Sequence, residues 1–583
     1  VGKNIIVSGK YEEFNGLGQI VHPDYVTIVE QKDKIPSIET IYPLFLGVNQ
    51  RFINKIVSEA LKKLPIIPEW LSLKTIQELN LYSWNESITQ IHLPKDISDT
   101  HIDSVYRRRL ALDELVANQI SMLLIKQKII KNINFDKSIF NYDLVTNLIN
   151  SLPFILTEDQ KNVIGEITND IKSKQTMVRM LQGDVGSGKT IVALISMITS
   201  ICNGSQSVLL VPTEILAIQH YNNIKDLLKP LNIEPVLLLG ESKTYFSKAE
   251  RLEVIQNIAN GVSKIIIGTH ALISKKVIYN NLSLAVIDEQ HKFGVKQRVQ
   301  ISDKGQNVNV LVMTATPIPR SLALTAYGDM DISTLTEKPK GRKPIKTYVL
   351  SQDKIGDVLN SINRAIKNNA LVYWVCPLIE ESENSDLIAV NERFDYLKNY
   401  FKNYNISLVH GKQNQIDREN SMNDFKEGKS KILVATTVIE VGVDIPDATI
   451  IVIECAERFG LAQIHQLRGR VGRSDKESSC ILLYKTQLTP ISHSRLKTLK
   501  ETNDGFKISE SDLILRGPGE VLGSRQSGNI NFKFADLHFH SDLITIARDE
   551  AKKMLEDDKD NDKVNTLLSI FENNEAVKLL KGG

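Results

Sequence analysis

The sequence predicts an α/β protein: two parallel-sheet domains joined by a hinge, preceded by a β-rich segment and a helical stretch, and followed by a small C-terminal domain. Three observations carry this. From Leu152 onward, apolar strand-like runs alternate with helix-like runs, the pattern of a parallel sheet. The alternation breaks at Thr336-Glu337-Lys338-Pro339-Lys340-Gly341-Arg342-Lys343-Pro344, where prolines, a glycine and dense charge read as a linker. It is absent before 150 and irregular after 500. The expected domains are therefore 1–50, 51–150, 151–338, 339–500 and 501–583.

Composition sets the limits. A chain of 583 residues exceeds one hydrophobic core. A net charge of +2 announces no global polyanion field, so contact with nucleic acid would depend on local patches. Cys202, Cys376, Cys455 and Cys480 are far apart with no C-x-x-C pair, which argues against a zinc site and fits a reducing cytoplasm. No apolar run reaches the ~18 residues of a membrane span, and no signal peptide is visible. The chain starts at Val1, inside what reads as a strand.

In order, Ile5–Lys10 and Gly18–Val21 are strand candidates around an Asn15-Gly16 turn. Tyr11, Phe14 and Tyr25 lie among them. Aromatics on a small β-barrel can stack on bases, and equally can be core or edge residues. Helical periodicity follows from 48 to 150. There Arg107-Arg108-Arg109 opens an amphipathic run that is either a solvated face or a phosphate contact. Strands are expected at 177–182, 208–212, 264–268, 284–288 and 309–314. Past the hinge they are expected near 346–350, 371–376, 407–410, 431–436, 449–453 and 480–484.

Four stretches carry chemistry. Gly183-Asp184-Val185-Gly186-Ser187-Gly188-Lys189-Thr190 fits G-x-x-x-x-G-K-[ST], whose backbone N–H groups wrap a phosphate chain. Lys189 adds charge for the β/γ-phosphates, and the Thr190 hydroxyl suits Mg²⁺. A plain Gly-rich turn is the alternative, but apolar Met177–Leu181 before it and Ile191–Ile201 after it supply a strand–loop–helix setting. Second, the strand Leu284–Ile287 delivers Asp288-Glu289-Gln290-His291 to its C-terminal edge. Asp288 is placed to hold Mg²⁺, and Glu289 to orient or deprotonate an attacking water. Third, Thr314 and Thr316 of Met313–Arg320 can bond Gln290 or His291 and report the nucleotide state, or equally can belong to a plain proline-rich turn. Fourth, Thr436–Asp444 precedes Gln466-Leu467-Arg468-Gly469-Arg470-Val471-Gly472-Arg473, where glycine-spaced arginines suggest guanidinium groups over phosphate. Coming from the second domain, they imply that hydrolysis requires closure across the hinge.

The set resembles superfamily 2 helicases, and in detail the RecG family of bacterial branched-DNA helicases: GDVGSGKT, DEQH, TATPIPR and RFGLAQIHQLRGRVGR all match. The resemblance implies two RecA-like motor domains using ATP and Mg²⁺. Arg470 and Arg473 would join Lys189, Asp288 and Glu289 in catalysis. Gly442 and Asp444 would count among the nucleotide contacts, and Gln160 would read adenine. Gln466 would serve coupling to DNA with Gln290, His291, Thr314 and Thr316. Pro212-Thr213-Glu214 and Gly268-Thr269-His270 are similar to single-strand contacts, with Val409-His410-Gly411 and Thr436-Thr437 as their counterparts. Residues 501–528, including Arg516, Arg525 and Gln526, resemble a translocation motif that couples closure to movement on duplex DNA. Gly18–Tyr25 resembles the later part of an OB-like wedge domain whose first strands the chain lacks. The family further implies a cytoplasmic, nucleoid-associated monomer working on forks and Holliday junctions, with a contact to single-stranded-DNA-binding protein. Two alternatives remain at this point: a transcription-repair coupling type duplex translocase, and a junction-binding remnant with impaired unwinding.

Overall fold

The computed structural model describes residues 4–571 except 15, 36–37, 45–46, 130–142, 203, 241–246, 290–299, 320–322, 324–327, 329, 340–342, 378–382, 437–444, 486, 517–531, 538 and 558–561. The chain forms two units. The first joins residues 1–121 to 532–583, and the second is 122–531.

In the first unit, β1 (Ile5–Ser8) lies near β2 (Glu12–Phe14) and β3 (Leu17–Gln19) in sequence, yet pairs antiparallel with β4 (Tyr25–Ile28), Ile5 opposite Ile28. A hairpin does turn at Gly16 (φ +76°), but its first strand is Glu12–Phe14 and not the expected Ile5–Lys10, of which Ile5–Ser8 pairs with β4 instead. β4 was not anticipated. Tyr25 belongs to its own unit: its hydroxyl donates to Glu39 Oε1 (2.7 Å) and Arg51 stacks on its ring at 4.6 Å. Tyr11 is exposed.

The triple arginine is neither a solvated face nor a row of open cations. Arg109 is 1% exposed and bonds Asp113, Glu69 and the Tyr82 carbonyl, while Trp70 Nε1 donates to Asp113 (2.8 Å). Burial pushes the Asp113 carboxyl up to about 6 despite the Arg109 charge. Arg108 pairs with Asp103 and Asp542, and Arg107 donates to the Phe534 carbonyl. The two chain segments of this unit are joined by buried carboxylates. Glu550 accepts from Ser72 N, Ser72 Oγ and Thr75 Oγ1, and Glu114 accepts the backbone N–H groups of Lys533, Phe534 and Ala535.

The second unit holds two parallel sheets. The first contains β5 (Val178–Gly183), β6 (Gln206–Leu210), β7 (Val236–Leu238), β8 (Ile265–Gly268), β9 (Leu282–Ile287), β10 (Asn309–Thr314) and β11 (Asp331–Leu335) in the order β11-β5-β10-β9-β6-β8-β7. The second contains β12 (Lys346–Ser351), β13 (Leu371–Val375), β14 (Asn405–Val409), β15 (Ser430–Ala435), β16 (Ala448–Ile453) and β17 (Ser479–Tyr484) in the order β12-β17-β16-β13-β15-β14. Their central strands are buried on both faces, which is why they read as continuous apolar runs. β7 and β11 escaped that reading because they are edge strands, one three residues long and one mostly polar. The helix Lys189–Ile201 is buried from Ile191 to Ile201, as its apolar sequence requires. The hinge segment connects β11 to β12. No helix among the described residues is long and apolar enough to cross a membrane.

Candidate functional site

The site begins where β5 ends. The chain turns through Gly186 (φ +76°) and Gly188 (φ +85°) into the helix Lys189–Ile201, conformations that favour glycine. Gly188 occupies the N-cap without a side-chain cap, so the first-turn N–H groups and the positive end of the helix dipole serve the loop. A Cβ on Gly188 would collide with Gln160 Nε2. Gln160 itself supports the loop: Nε2 donates to the Ser187 carbonyl (2.9 Å) and Oε1 accepts from Thr157 N (2.9 Å). Lys189 Nζ donates to the carbonyls of Gly183 (2.7 Å) and Asp184 (2.9 Å). The Ser187 hydroxyl is buried without a partner among the described residues. Donors gathered on a glycine cradle fit a polyphosphate.

β9 delivers Asp288 and Glu289 beside this loop. Asp288 Oδ1 accepts from Glu289 N (3.0 Å), and Oδ2 lies 3.2 Å from His220 Nε2. Burial pushes the Asp288 carboxyl up, but the His220 bond, the His220 and Lys189 charges and the Glu289 N–H more than offset it. The carboxyl stays below its ordinary range and is ionised at neutral pH. Glu289 has φ +54°, a strained conformation for a non-glycine residue. His220, on the helix Glu214–Leu228, was missed; a single histidine on an amphipathic helix carries no sequence signal.

Arg470 and Arg473 of the second sheet's domain reach the same cavity. It has a volume of about 730 Å³, and its lining includes Gln160, Gly186, Gly188, Lys189, Thr190, His220, Asp288, Glu289, Arg470 and Arg473. Arg473 Nε donates to the Gly469 carbonyl (3.0 Å). Gly469 is seated on Val185, whose Cγ1 would be 2.6 Å from an added Cβ. One expectation needs correction. Arg468 is not held over the cavity. It is 1% exposed and donates to the carbonyls of Leu499 (2.8 Å) and Thr502 (3.0 Å), to Thr347 Oγ1 (3.3 Å) and to His465 Nδ1 (2.9 Å). Asp184 keeps its backbone in the phosphate loop, while its carboxylate accepts from Val185 N (2.6 Å) and faces His465 Nε2 (2.5 Å) and Lys338 Nζ (3.0 Å).

Thr314 and Thr316 bond each other through their hydroxyls (3.0 Å), and Gln466 lies half-buried on the helix Leu461–Arg468. Thr213 caps the helix Glu214–Leu228. The Thr269 and Thr436 hydroxyls and His410 Nδ1 are buried without hydrogen-bond partners among the described residues. Gln290, His291, Gly442, Asp444, Arg525 and Gln526 lie outside the described residues, as does the side chain of Arg516.

Two parallel-sheet lobes, a phosphate loop on the first, and a cavity shared with arginines of the second define the class of two-lobed, nucleotide-driven helicase motors. Comparison with known proteins agrees. The DEAD/DEAH box helicase family matches residues 157–325, the helicase conserved C-terminal domain 357–475, and the C-terminal domain 3 of ATP-dependent DNA helicase RecG 502–574. The chain is 40% identical over 551 residues to ATP-dependent DNA helicase RecG of Escherichia coli (strain K12), covering 92% of this chain and 78% of that one. It is 38% identical over 566 residues to that of Bacillus subtilis (strain 168), covering 96% and 80%. A solved structure of RecG bound to a three-way DNA junction superposes with a TM-score of 0.69 at 35% identity, covering 94% of this chain and 71% of that one. The chain belongs to the RecG family of ATP-dependent DNA helicases.

Proposed function

We propose that this protein uses ATP hydrolysis to move on duplex DNA and remodel branched DNA, forks and four-way junctions, in recombination and repair. The observation that carries the reading is the shared cavity: Lys189, Asp288 and Glu289 from one lobe and Arg470 and Arg473 from the other. In this reading the loop N–H groups and Lys189 bind the phosphates of ATP. Glu289 orients the attacking water, and Arg470 and Arg473 stabilise charge developing on the transferred phosphoryl group. Arginines from the second lobe make turnover depend on lobe closure, and closure is the stroke.

Thr190 and Asp288 are the residues that would hold Mg²⁺. One hydroxyl and one ionised carboxylate suit a cation that takes its remaining ligands from phosphate and water. Bound there, the ion would neutralise charge between the β- and γ-phosphates. The solved RecG relative is bound to a three-way DNA junction, which supports branched DNA as the substrate here. We further assign a monomeric, cytoplasmic, nucleoid-associated working state.

The test is ATPase measured with no DNA, linear duplex and a three-way junction, beside unwinding of the junction. DNA stimulation with ATP-driven unwinding is expected. Lys189→Ala should abolish both while leaving junction binding in a gel shift. A parent protein whose turnover ignores DNA would refute the assignment.

A further inference from the structure

Two neighbouring strands of the first sheet end side by side and feed different machinery. β5 runs into the phosphate loop at Gly183 and β11 into the hinge at Leu335, and these two residues are register partners. They are in close contact: a methyl on Gly183 would lie 3.0 Å from Leu335 Cβ and 3.2 Å from the Leu335 carbonyl oxygen. Both exits are held by the first turn of one helix, Glu158–Ile171, which Thr157 caps. Gln160 donates to the Ser187 carbonyl of the phosphate loop (2.9 Å). Its neighbour Asp159 takes the hinge. Asp159 Oδ2 accepts from Thr336 N (2.7 Å), Thr336 Oγ1 (2.6 Å) and Glu337 N (2.9 Å), and Asp159 N donates back to Glu337 Oε2 (3.5 Å). Two residues further on, Pro339 lines the nucleotide cavity with Gln160, Lys189 and Asp288.

We propose that Asp159 is a positioning residue for nucleotide binding: it ties the start of the hinge to the turn that carries Gln160, and so holds Pro339 as a wall of the nucleotide cavity. An extended chain spans ~3.3–3.6 Å per residue, so Pro339 can stray from an anchored Glu337 by no more than ~7 Å. Without the Asp159 bonds, the last residue held by strand pairing is Leu335. That doubles the reach of Pro339 to ~14 Å and enlarges the volume open to it about eightfold. Lys338 does not replace the anchor. It reaches Asp184 (3.0 Å) through a flexible four-carbon stem, which leaves its backbone to move. Nor does Glu158, the other acid of this turn, which pairs with Lys161 (2.6 Å). Asp159 is ionised for the role. The Thr336 hydroxyl and the N–H groups of Thr336 and Glu337 hold its carboxyl below the ordinary range against partial burial, and a negative charge in the first turn complements the helix dipole.

The role rests on the ATP-driven motor reading above, and a binding measurement separates the two. The full chain, Asp159→Ala, Asp159→Asn, Pro339→Gly and the double variant of the first and last substitutions are compared. Each is measured for the Kd of a fluorescent, non-hydrolysable ATP analogue and for KM and kcat of junction-stimulated ATPase. Binding that needs the walled conformation weakens in proportion to the time spent outside it, so Asp159→Ala should raise Kd and KM roughly 5- to 10-fold. Its kcat should fall less than about threefold, since Lys189, Glu289 and Arg470 are untouched. Asp159→Asn, whose amide oxygen still accepts from the hinge, should stay within about twofold of the parent in Kd. Pro339→Gly should match Asp159→Ala, and the double variant should bind no more weakly than either, because both remove the same wall. An unchanged Kd in Asp159→Ala refutes the role, and so does a double variant whose losses multiply. Equal loss of kcat and affinity in Asp159→Ala, with a lowered melting temperature, marks a merely structural contact and overturns it as well. A parent that binds the analogue but whose turnover ignores DNA refutes the motor reading instead, while the Kd values still decide the role of Asp159.

Discussion

Arg468 and Arg470 stand two residues apart, yet their removal should damage different properties. Arg468 is buried and supplies donors to two carbonyls, a threonine hydroxyl and a histidine nitrogen. Arg468→Met keeps most of the volume and removes those donors. Each buried carbonyl left without a donor costs about 1–3 kcal/mol, or roughly 2–6 kcal/mol for the pair. Part is returned, because the lost charge was itself costly to bury: burial pushes the Arg468 guanidinium down from its ordinary value. A net loss of about 2–4 kcal/mol remains, which for a lobe of this size lowers Tm by roughly 5–15 °C. Arg470→Ala removes a guanidinium lining the nucleotide cavity. An arginine acting on a transferring phosphoryl group is worth about 10³–10⁵ in kcat. Its loss should therefore nearly abolish turnover while Tm and nucleotide binding stay close to the parent. Calorimetry, fluorescent-nucleotide binding and steady-state ATPase on both variants provide the assay. If Arg468→Met melts with the parent and loses turnover as deeply as Arg470→Ala, the division of roles between the two arginines is wrong.

Two further outcomes can be checked by unfolding. Asp184 has a depressed carboxyl in the folded state, so its contribution to stability is complete above the unfolded carboxylate range, about pH 4, and is lost as pH falls through and below it. Asp184→Asn should accordingly flatten the acid limb of the melting curve of the motor unit, and an unchanged limb would contradict this. Glu550 is buried and accepts three hydrogen bonds from Ser72 and Thr75. Glu550→Ala should destabilise the first unit by about 2–4 kcal/mol, read in urea, and speed proteolysis within residues 50–121. Equal proteolysis rates would show that the two chain segments do not depend on this carboxylate.

The motor's central strands were legible because a parallel strand buried on both faces needs an unbroken apolar run, and Val208–Leu210 or Ile265–Ile267 admit few other readings. The phosphate loop was legible because Gly186 and Gly188 are required by positive φ and the lysine by charge, all within eight residues. Edge strands such as Asp331–Leu335 were not, since pairing on one side leaves their composition free.

Local pattern therefore pointed to where nucleotide chemistry is expected and to the residue types proposed to perform it. It did not determine which arginine does what. In Arg468-Gly469-Arg470 the spacing is symmetrical, and only packing against Leu499 and Thr502 assigns one guanidinium to structure and leaves the other to the cavity. It also did not reveal that Asp184 faces His465, 281 residues away, or that Glu550 joins a helix start 478 residues before it. A hydrogen bond is decided by distance in space, and pairs this remote come together only when the tertiary structure forms.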